Sequence, residues 1–96
     1  MYAITFDLDT KALEQHYPVP NWRNAYSDIA TTLGSYGFER QQGSVYFGNS
    51  TVTAVTCFTA TNALTSTYAW FRLCVRDIRM LRIEEINDLM PVVQEL

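Results

Sequence analysis

Hydrophobic and polar residues alternate with a period of two over the first nine positions of the chain. One side is apolar and consists of Tyr2, Ile4, Phe6 and Leu8. The other side becomes acidic at its far end and consists of Ala3, Thr5, Asp7 and Asp9. This alternation, rich in β-branched and aromatic residues, predicts a strand. Because a strand at the start of a chain would fray at a sheet edge, we expect it to be central.

A segment with two prolines separates this strand from a run with helical periodicity. Prolines disfavour helix in the residues that precede them, so residues 10–20 are predicted to form a loop. Apolar side chains then recur every third or fourth position, which predicts a helix over about 21–36 with Asn21 as its N-cap. Gly37 suits the left-handed residue that ends a helix.

Two short strands and a second helix are predicted next. Residues 38–42 and 44–47 have strand character on either side of Gly43, which predicts a tight hairpin. Residues 51–66 fit both the helical and the strand period. A run of that length is long for a strand, so we predict a helix with Ser50 as its N-cap.

The remaining residues predict a final strand between short helical pieces. Residues 68–75 suit a short helix or turn, and residues 77–84 suit the last strand. Asn87 or Asp88 is a candidate cap for a short C-terminal helix with Pro91 in its first turn.

The predicted order β, α, β, β, α, β is that of a ferredoxin-like sandwich, an α+β fold, followed here by the short C-terminal helix. A chain of 96 residues predicts one domain, residues 1–96. Helices cover one face of such a sheet, which leaves the face with Thr5, Asp7 and Asp9 open to solvent or to a partner. A twofold partner there would bring two copies of Asp7 together.

Composition narrows the class of protein. The net charge of −3 argues against broad nucleic-acid binding, although four of the seven basic residues lie close together, at Arg72, Arg76, Arg79 and Arg82. Two cysteines are too few for a disulfide framework and suit buried thiols in a reducing cytosol. The chain shows no long apolar run and no signal peptide pattern, so we expect a cytoplasmic protein without a membrane partner.

Five blocks spread along the chain carry a family resemblance: Met1–Leu8, Ala25–Ile29, Gly37–Phe38, Gln42–Tyr46 and Val75–Glu84. In this order they resemble the bacterial virulence-associated protein D family. The resemblance implies a homodimeric ferredoxin-like protein, similar to the small nuclease-like subunit of CRISPR systems. It also implies an endoribonuclease acting on single-stranded or messenger RNA, often the toxin beside an antitoxin protein.

The resemblance also implies roles for particular residues. The catalytic aspartate at the end of the first strand corresponds to Asp7, and Ser44 and Tyr46 correspond to positions that flank the dimer cleft. Asp9 and residues 10–20 depart from the family pattern, which bears on substrate preference and metal use.

Two chemical routes for RNA hydrolysis stay open at this point. Asp7, alone or with Asp9, is a candidate ligand for Mg²⁺ or Mn²⁺, which would activate water and bind the phosphate. Otherwise Asp7 acts as a general base toward the 2′-hydroxyl group. A plainer interpretation is that both aspartates simply end a strand and begin a turn.

The substrate contacts have plain alternatives as well. Arg76 and Arg79 suit bidentate contact with phosphate, or else surface ion pairs with neighbouring acids. Ser44 and Tyr46 are candidate substrate-binding residues, with turn and packing roles as the alternatives. His16 has no partner for general base catalysis, which favours a solvated histidine. The alternative to an RNA-cleaving enzyme is a catalytically inert dimeric scaffold with a nuclease-like fold.

Overall fold

The first strand lies at the centre of a four-stranded sheet. The computed structural model describes residues 1–95, and its strands are β1 (Tyr2–Leu8), β2 (Phe38–Gln42), β3 (Val45–Gly48) and β4 (Val75–Arg82). Their order in the sheet is β2-β3-β1-β4, and each neighbouring pair is antiparallel. The central position predicted for the first strand is confirmed, because β1 pairs with a strand on both sides.

Helices between the strands cover one face of the sheet, and a short exposed helix follows β4. They are α1 (Thr10–His16), α2 (Asn24–Ser35), α3 (Ala54–Thr67), α4 (Phe71–Cys74) and α5 (Met90–Glu95). The α+β class and the ferredoxin-like strand order are confirmed, with α1 and α4 as short additions to the βαββαβ pattern. The short C-terminal helix is also present, as α5.

The apolar side of β1 forms the floor of the core. Ile4 and Phe6 are buried, and the core above them includes Ile29 and Leu33 from α2 and Leu64 from α3. Burying an aliphatic or aromatic side chain of this size contributes about 1.5–3 kcal/mol to folding. The strict alternation along β1 therefore decides which face the helices cover, and it sends Asp7 to the other side.

The loop predicted for residues 10–20 is wrong, because its first part is helix α1. The Asp9 side chain caps the helix by accepting hydrogen bonds from the N–H groups of Lys11 and Ala12, and Leu13 is fully buried. Pro18 ends the helix rather than preventing it, since its restriction acts mainly on the residue before it. One buried leucine and one cap thus outweigh the proline signal.

The boundaries of the later elements differ slightly from the prediction. Helix α2 begins at Asn24, after a turn at residues 21–23. Helix α3 is confirmed, but its N-cap is Thr53 and not Ser50: the Thr53 hydroxyl accepts from the N–H of Thr56, and the Thr56 hydroxyl accepts from the N–H of Thr53. Strand β4 begins and ends two residues before the predicted range 77–84.

Two further details of the prediction are confirmed at helix ends. Gly37 follows α2 with a φ of 93°, the left-handed conformation expected there. The Asp88 carboxylate accepts a hydrogen bond of 2.9 Å from the N–H of Met90, at the start of α5. Among residues 1–95, no helix combines the length and the apolar character needed to cross a bilayer.

Candidate active site

Asp7 lies near the end of β1 on the sheet face that the helices leave open. Its side chain is 63% exposed, between the buried Phe6 and Leu8 that point to the helices. In the register of β1 with β4, Asp7 lies directly opposite Asp77. Two carboxylates are therefore side by side on adjacent strands, an arrangement that costs stability unless cations offset it.

A β-bulge at this point brings an arginine to the carboxylates. Asp7 pairs with Asp77 and Leu8 pairs with Val75, so Arg76 is the extra residue of β4. Its Nη1 is 4.0 Å from Oδ2 of Asp7 and its Nη2 is 3.5 Å from Oδ2 of Asp9. Bulges commonly redirect a side chain next to functional sites.

A second arginine binds the other carboxylate. The Nε of Arg79 donates to both carboxylate oxygens of Asp77, at 3.2 and 3.1 Å. Arg79 lies opposite Thr5 in the register, so Arg79 shares the open face with Thr5 and Asp77. The site therefore contains Asp7 and Asp77, each beside one guanidinium group, on an exposed surface.

Asp77 is the site residue that sequence reasoning missed. The alternation Arg76-Asp77-Ile78-Arg79 was visible, with Ile78 as an inward position that leaves Asp77 and Arg79 on the other side. What the sequence did not provide was the register that pairs Asp77 with Asp7 rather than with Thr5. All six pairs from Tyr2↔Arg82 to Asp7↔Asp77 share that register, and no single residue in the sequence identifies it.

Asp9 has a structural role that the sequence-based prediction did not assign. Its Oδ1 accepts hydrogen bonds of 3.0 and 3.1 Å from the N–H groups of Lys11 and Ala12. The bond from Ala12 holds the pKa of Asp9 below its ordinary value of 3.8, and the Arg76 guanidinium adds to this lowering. Oδ2 still faces Arg76, so Asp9 links the start of α1 to the site.

Tyr46 is not available to a substrate, so the prediction that it binds substrate is wrong. It pairs with Ile4 in the register, on the side of the sheet that the helices cover, and is 1% exposed. Its ring packs against Phe6 with centroids 6.0 Å apart, and within residues 1–95 its hydroxyl group has no hydrogen-bond partner. The plainer packing role is the correct one.

Ser44 lies beside the site without being part of the carboxylate pair. It is half-buried just before β3, and its carbonyl accepts a hydrogen bond of 3.1 Å from the N–H of Phe6. This places Ser44 one residue along β1 from Asp7. Its role in binding substrate stays a prediction.

The four clustered arginines do not form one patch. Arg79 lies opposite Thr5 on the open face, whereas Arg82 lies opposite Tyr2 on the side of the helices and contacts Glu84 at 3.3 Å. Arg72 lies on α4 and is exposed. Of these four arginines, Arg76 and Arg79 are therefore the two that contact the carboxylates of the open face.

Other groups with catalytic potential lie away from this face. His16 is exposed in the last turn of α1, as expected for a solvated histidine. Cys57 and Cys74 are free and buried, and burial raises the pKa of both thiols, which makes them poor nucleophiles. Among residues 1–95, no group of three or more His, Cys, Asp or Glu side chains is placed to hold a metal ion.

Comparison with known proteins identifies relatives along nearly the whole chain. No protein-family model matches. A protein of Helicobacter pylori named "Endoribonuclease VapD homolog" is 49% identical over 94 residues, which cover 98% of this chain and 97% of that protein. "Endoribonuclease VapD 2" of Riemerella anatipestifer is 46% identical over 97% of this chain and 99% of its own length. "Endoribonuclease VapD" of Dichelobacter nodosus is 42% identical and covers 98% of each chain. The chain therefore belongs to the VapD, or virulence-associated protein D, family.

Proposed function

We propose that this protein is an endoribonuclease that cleaves single-stranded or messenger RNA, with Asp7 as the catalytic residue. The observation that carries the proposal is the position of Asp7, an exposed carboxylate held next to Asp77 and Arg76 on the uncovered face of the sheet. Three relatives at 42–49% identity are named endoribonuclease, which supports the same reaction class.

The local geometry supports a division of roles at the site. Asp7 either accepts the proton of the 2′-hydroxyl group or binds a metal ion, while Arg76 and Arg79 contact the scissile phosphate. Both guanidinium groups already lie beside carboxylates, so a phosphate would compete with Asp7 and Asp77 for them. Substrate binding would then release the Asp7 carboxylate for chemistry.

A homodimer is part of this proposal. One row of residues across the open face is apolar, with Ala3 paired to Phe47 on one side and to Leu81 on the other. Leu81 is 43% exposed, so this row presents apolar surface to solvent. A twofold axis over this face would cover the row and bring two copies of Asp7 near each other.

The metal route requires ligands beyond one chain. Asp7 and Asp77 can supply oxygen ligands for Mg²⁺ or Mn²⁺, but Asp9 already uses one carboxylate oxygen to cap α1. The remaining ligands would be phosphate oxygens of the substrate or a second copy of Asp7. The residues present therefore fit a metal shared between subunits and substrate better than one enclosed by a single chain.

A role as the toxin of a toxin–antitoxin pair, with an antitoxin protein as partner and a cytoplasmic location, completes the proposal. The two free, buried cysteines are consistent with a reducing compartment. RNA cleavage in such a compartment would damage its own cell, which is the chemical reason for an inhibitory partner.

The direct test is incubation of the purified protein with end-labelled single-stranded RNA, with and without a chelator. We expect internal cleavage products. Loss of cleavage with chelator, restored by Mg²⁺ or Mn²⁺, would select the metal route, and indifference to chelator would select the base route. Intact RNA under both conditions, with a folded protein, would contradict the proposal and favour the inert scaffold.

The dimer is tested separately by light scattering at micromolar concentration. We expect a mass of about twice the 11.0 kDa of one chain. Leu81→Glu should reduce the dimer because it places a charge in the apolar row. A monomeric wild-type protein would remove the shared site from the account but would leave cleavage by one chain to be judged on its own assay.

A further inference from the structure

The segment that follows β4 leaves its apolar side chains in solvent. Every residue from Glu84 to Glu95, here called the C-terminal arm, is exposed. Its large apolar side chains are between 53% and 68% exposed: Ile86, Leu89, Met90, Val92 and Val93. Helix α5 has six residues, and an isolated helix of that length is not stable in water. The arm therefore requires a surface against which to pack.

An apolar groove between α3 and β4 lies on the other side of the sheet from Asp7. It contains a cavity of about 150 Å³ whose lining includes Ile4, Cys57 and Ile78. Phe58 and Met80 form its exposed rim, with 66% and 41% of their surface in solvent. Because β4 is an outer strand, no strand within residues 1–95 covers this side of it. A cavity of about 150 Å³ holds a ring the size of benzene, which is enough for one aliphatic side chain.

The charges of the two surfaces are opposite. The arm carries Glu84, Glu85, Asp88 and Glu95 and no basic residue. Arg82 lies on the same side of β4 as Met80, is 70% exposed and contacts Glu84 of its own chain at 3.3 Å, whereas the guanidinium group of Arg79 binds Asp77 on the open face. Opposite charges at the edge of an apolar contact favour its orientation and its rate of formation.

We propose that the C-terminal arm of a second copy of this chain packs into the groove between α3 and β4. Val92 and Val93 of α5 and Leu89, directly before it, have the i, i+3, i+4 spacing that places side chains on one helical face, so this face enters the groove. The extended residues between β4 and α5 can span about 20 Å, which allows the arm to leave its own chain. A twofold axis then makes the exchange reciprocal.

This contact requires the homodimer that is part of the proposed function, because the groove belongs to the second subunit. It does not require RNA cleavage. It lies on the opposite side of β4 from the apolar row of the open face. The two contacts therefore involve different side chains and can be disrupted one at a time. Adjacent residues of β4 provide the matched pair, since Met80 and Leu81 are 41% and 43% exposed and point to opposite faces.

The experiment is amide hydrogen exchange of α5 in the full chain, measured with light scattering at several protein concentrations. In the wild type we expect protection of α5 that rises as the dimer forms. Met80→Glu should reduce that protection by at least about tenfold although the arm itself is unchanged. Phe58→Glu, at a more exposed position on α3, should reduce the protection of α5 in the same way. It serves as a second groove variant in case Met80→Glu disturbs β4.

Leu81→Glu and a mixing experiment complete the test. At concentrations where Leu81→Glu still dimerises, α5 should remain protected. A double variant of the arm, Leu89→Asp with Val93→Asp, should show no protection of α5 by itself, but its groove is intact. Mixing it with Met80→Glu lets the intact arm of the Met80→Glu chain enter that groove. Protection of α5 should then return in the Met80→Glu chain. Protection that is independent of concentration, or that survives both groove variants, would overturn the inference while leaving the open-face dimer and RNA cleavage untouched.

Discussion

The candidate active site on the open face consists of a small number of charged side chains whose neighbours are fixed by strand register. Asp7 and Asp77 are direct cross-strand neighbours, and Arg76 and Arg79 each bind one of them. Surface ion pairs of this kind contribute only about 0–1 kcal/mol to stability, so they do little to offset the placement of two carboxylates side by side. The proposed role in binding and cleaving a phosphodiester would account for the arrangement.

Arg79 and Arg82 allow a matched test of phosphate contact. Each is 70% exposed and each contacts one acidic side chain, but only Arg79 lies on the open face. Arg79→Ala should weaken RNA binding on all sequences alike and reduce the salt dependence by about one phosphate contact. Arg82→Ala should have a smaller effect in the same filter-binding or fluorescence titration. Equal effects of the two variants would show that overall charge, rather than the open face, determines binding.

Asp9 predicts a pH dependence of stability. Its pKa is lowered in the folded protein, chiefly by the hydrogen bond from Ala12, so its ionised form stabilises the fold above the ordinary pKa of 3.8. This contribution is lost as the pH falls through the lowered folded pKa. Asp9→Asn keeps a capping oxygen but loses the charge, so its urea midpoint should be lower than that of wild type at pH 7. The two midpoints should approach each other near pH 3, and a difference that grows in acid would refute the assignment.

At the scale of the elements, α1 is the feature that sequence reasoning did not find. The two prolines in residues 10–20 concealed a helix whose formation depends on the Asp9 cap and on burial of Leu13. The helix is further fixed by Tyr17, whose hydroxyl donates a hydrogen bond of 2.6 Å to Asp28 on α2. Burial raises the pKa of Tyr17 to about 12, and the bond to Asp28 adds to this rise.

Tyr17→Phe tests how α1 is attached. The variant removes the bond to Asp28 while keeping the ring that packs against Trp70 at 5.4 Å. The free energy of unfolding should fall by about 1 kcal/mol, the usual net contribution of one hydrogen bond. In an ultraviolet titration the tyrosine whose pKa is about 12 should disappear, and its persistence would contradict this assignment.

Two glycines near the end of α2 provide the second test at this scale. Gly37 has a φ of 93°, whereas Gly34 lies within the helix with open space where a Cβ would be. Gly34→Ala should raise the free energy of unfolding by about 0.5–1 kcal/mol, because alanine favours helix. Gly37→Ala should lower it by about 1 kcal/mol, because an L-residue is strained there. Urea denaturation that gave the same sign for both variants would contradict the described helix end.

Several elements were predictable because their signals are local. The alternation in β1 identified the buried face, and Gly37 marked the end of α2. The register of β1 with β4 was not predictable, because it depends on contacts between residues about seventy positions apart. For the same reason Asp7 could be singled out from sequence, whereas its neighbour Asp77 could not.

At the scale of the whole molecule, each side of the sheet has a separate task. The helix-covered side holds the core and the groove that we assign to a second copy of the arm. The open side holds Asp7, Asp77 and the two arginines next to an apolar row suited to a twofold contact. Because these charges lie outside the core, removing one carboxylate should leave the structure intact.

The measurement that tests the central claim most directly is RNA cleavage by Asp7→Asn, with Glu14→Gln on α1 as a control that also removes one exposed negative charge. Asparagine keeps the size of the side chain but neither accepts the proton nor binds a metal ion as a carboxylate does. Asp7→Asn should fold with unchanged or slightly higher stability, since it no longer faces Asp77 as a like charge. Cleavage should fall by at least about 100-fold, while Glu14→Gln cleaves as the wild type does. Full activity in a folded Asp7→Asn protein would contradict the account.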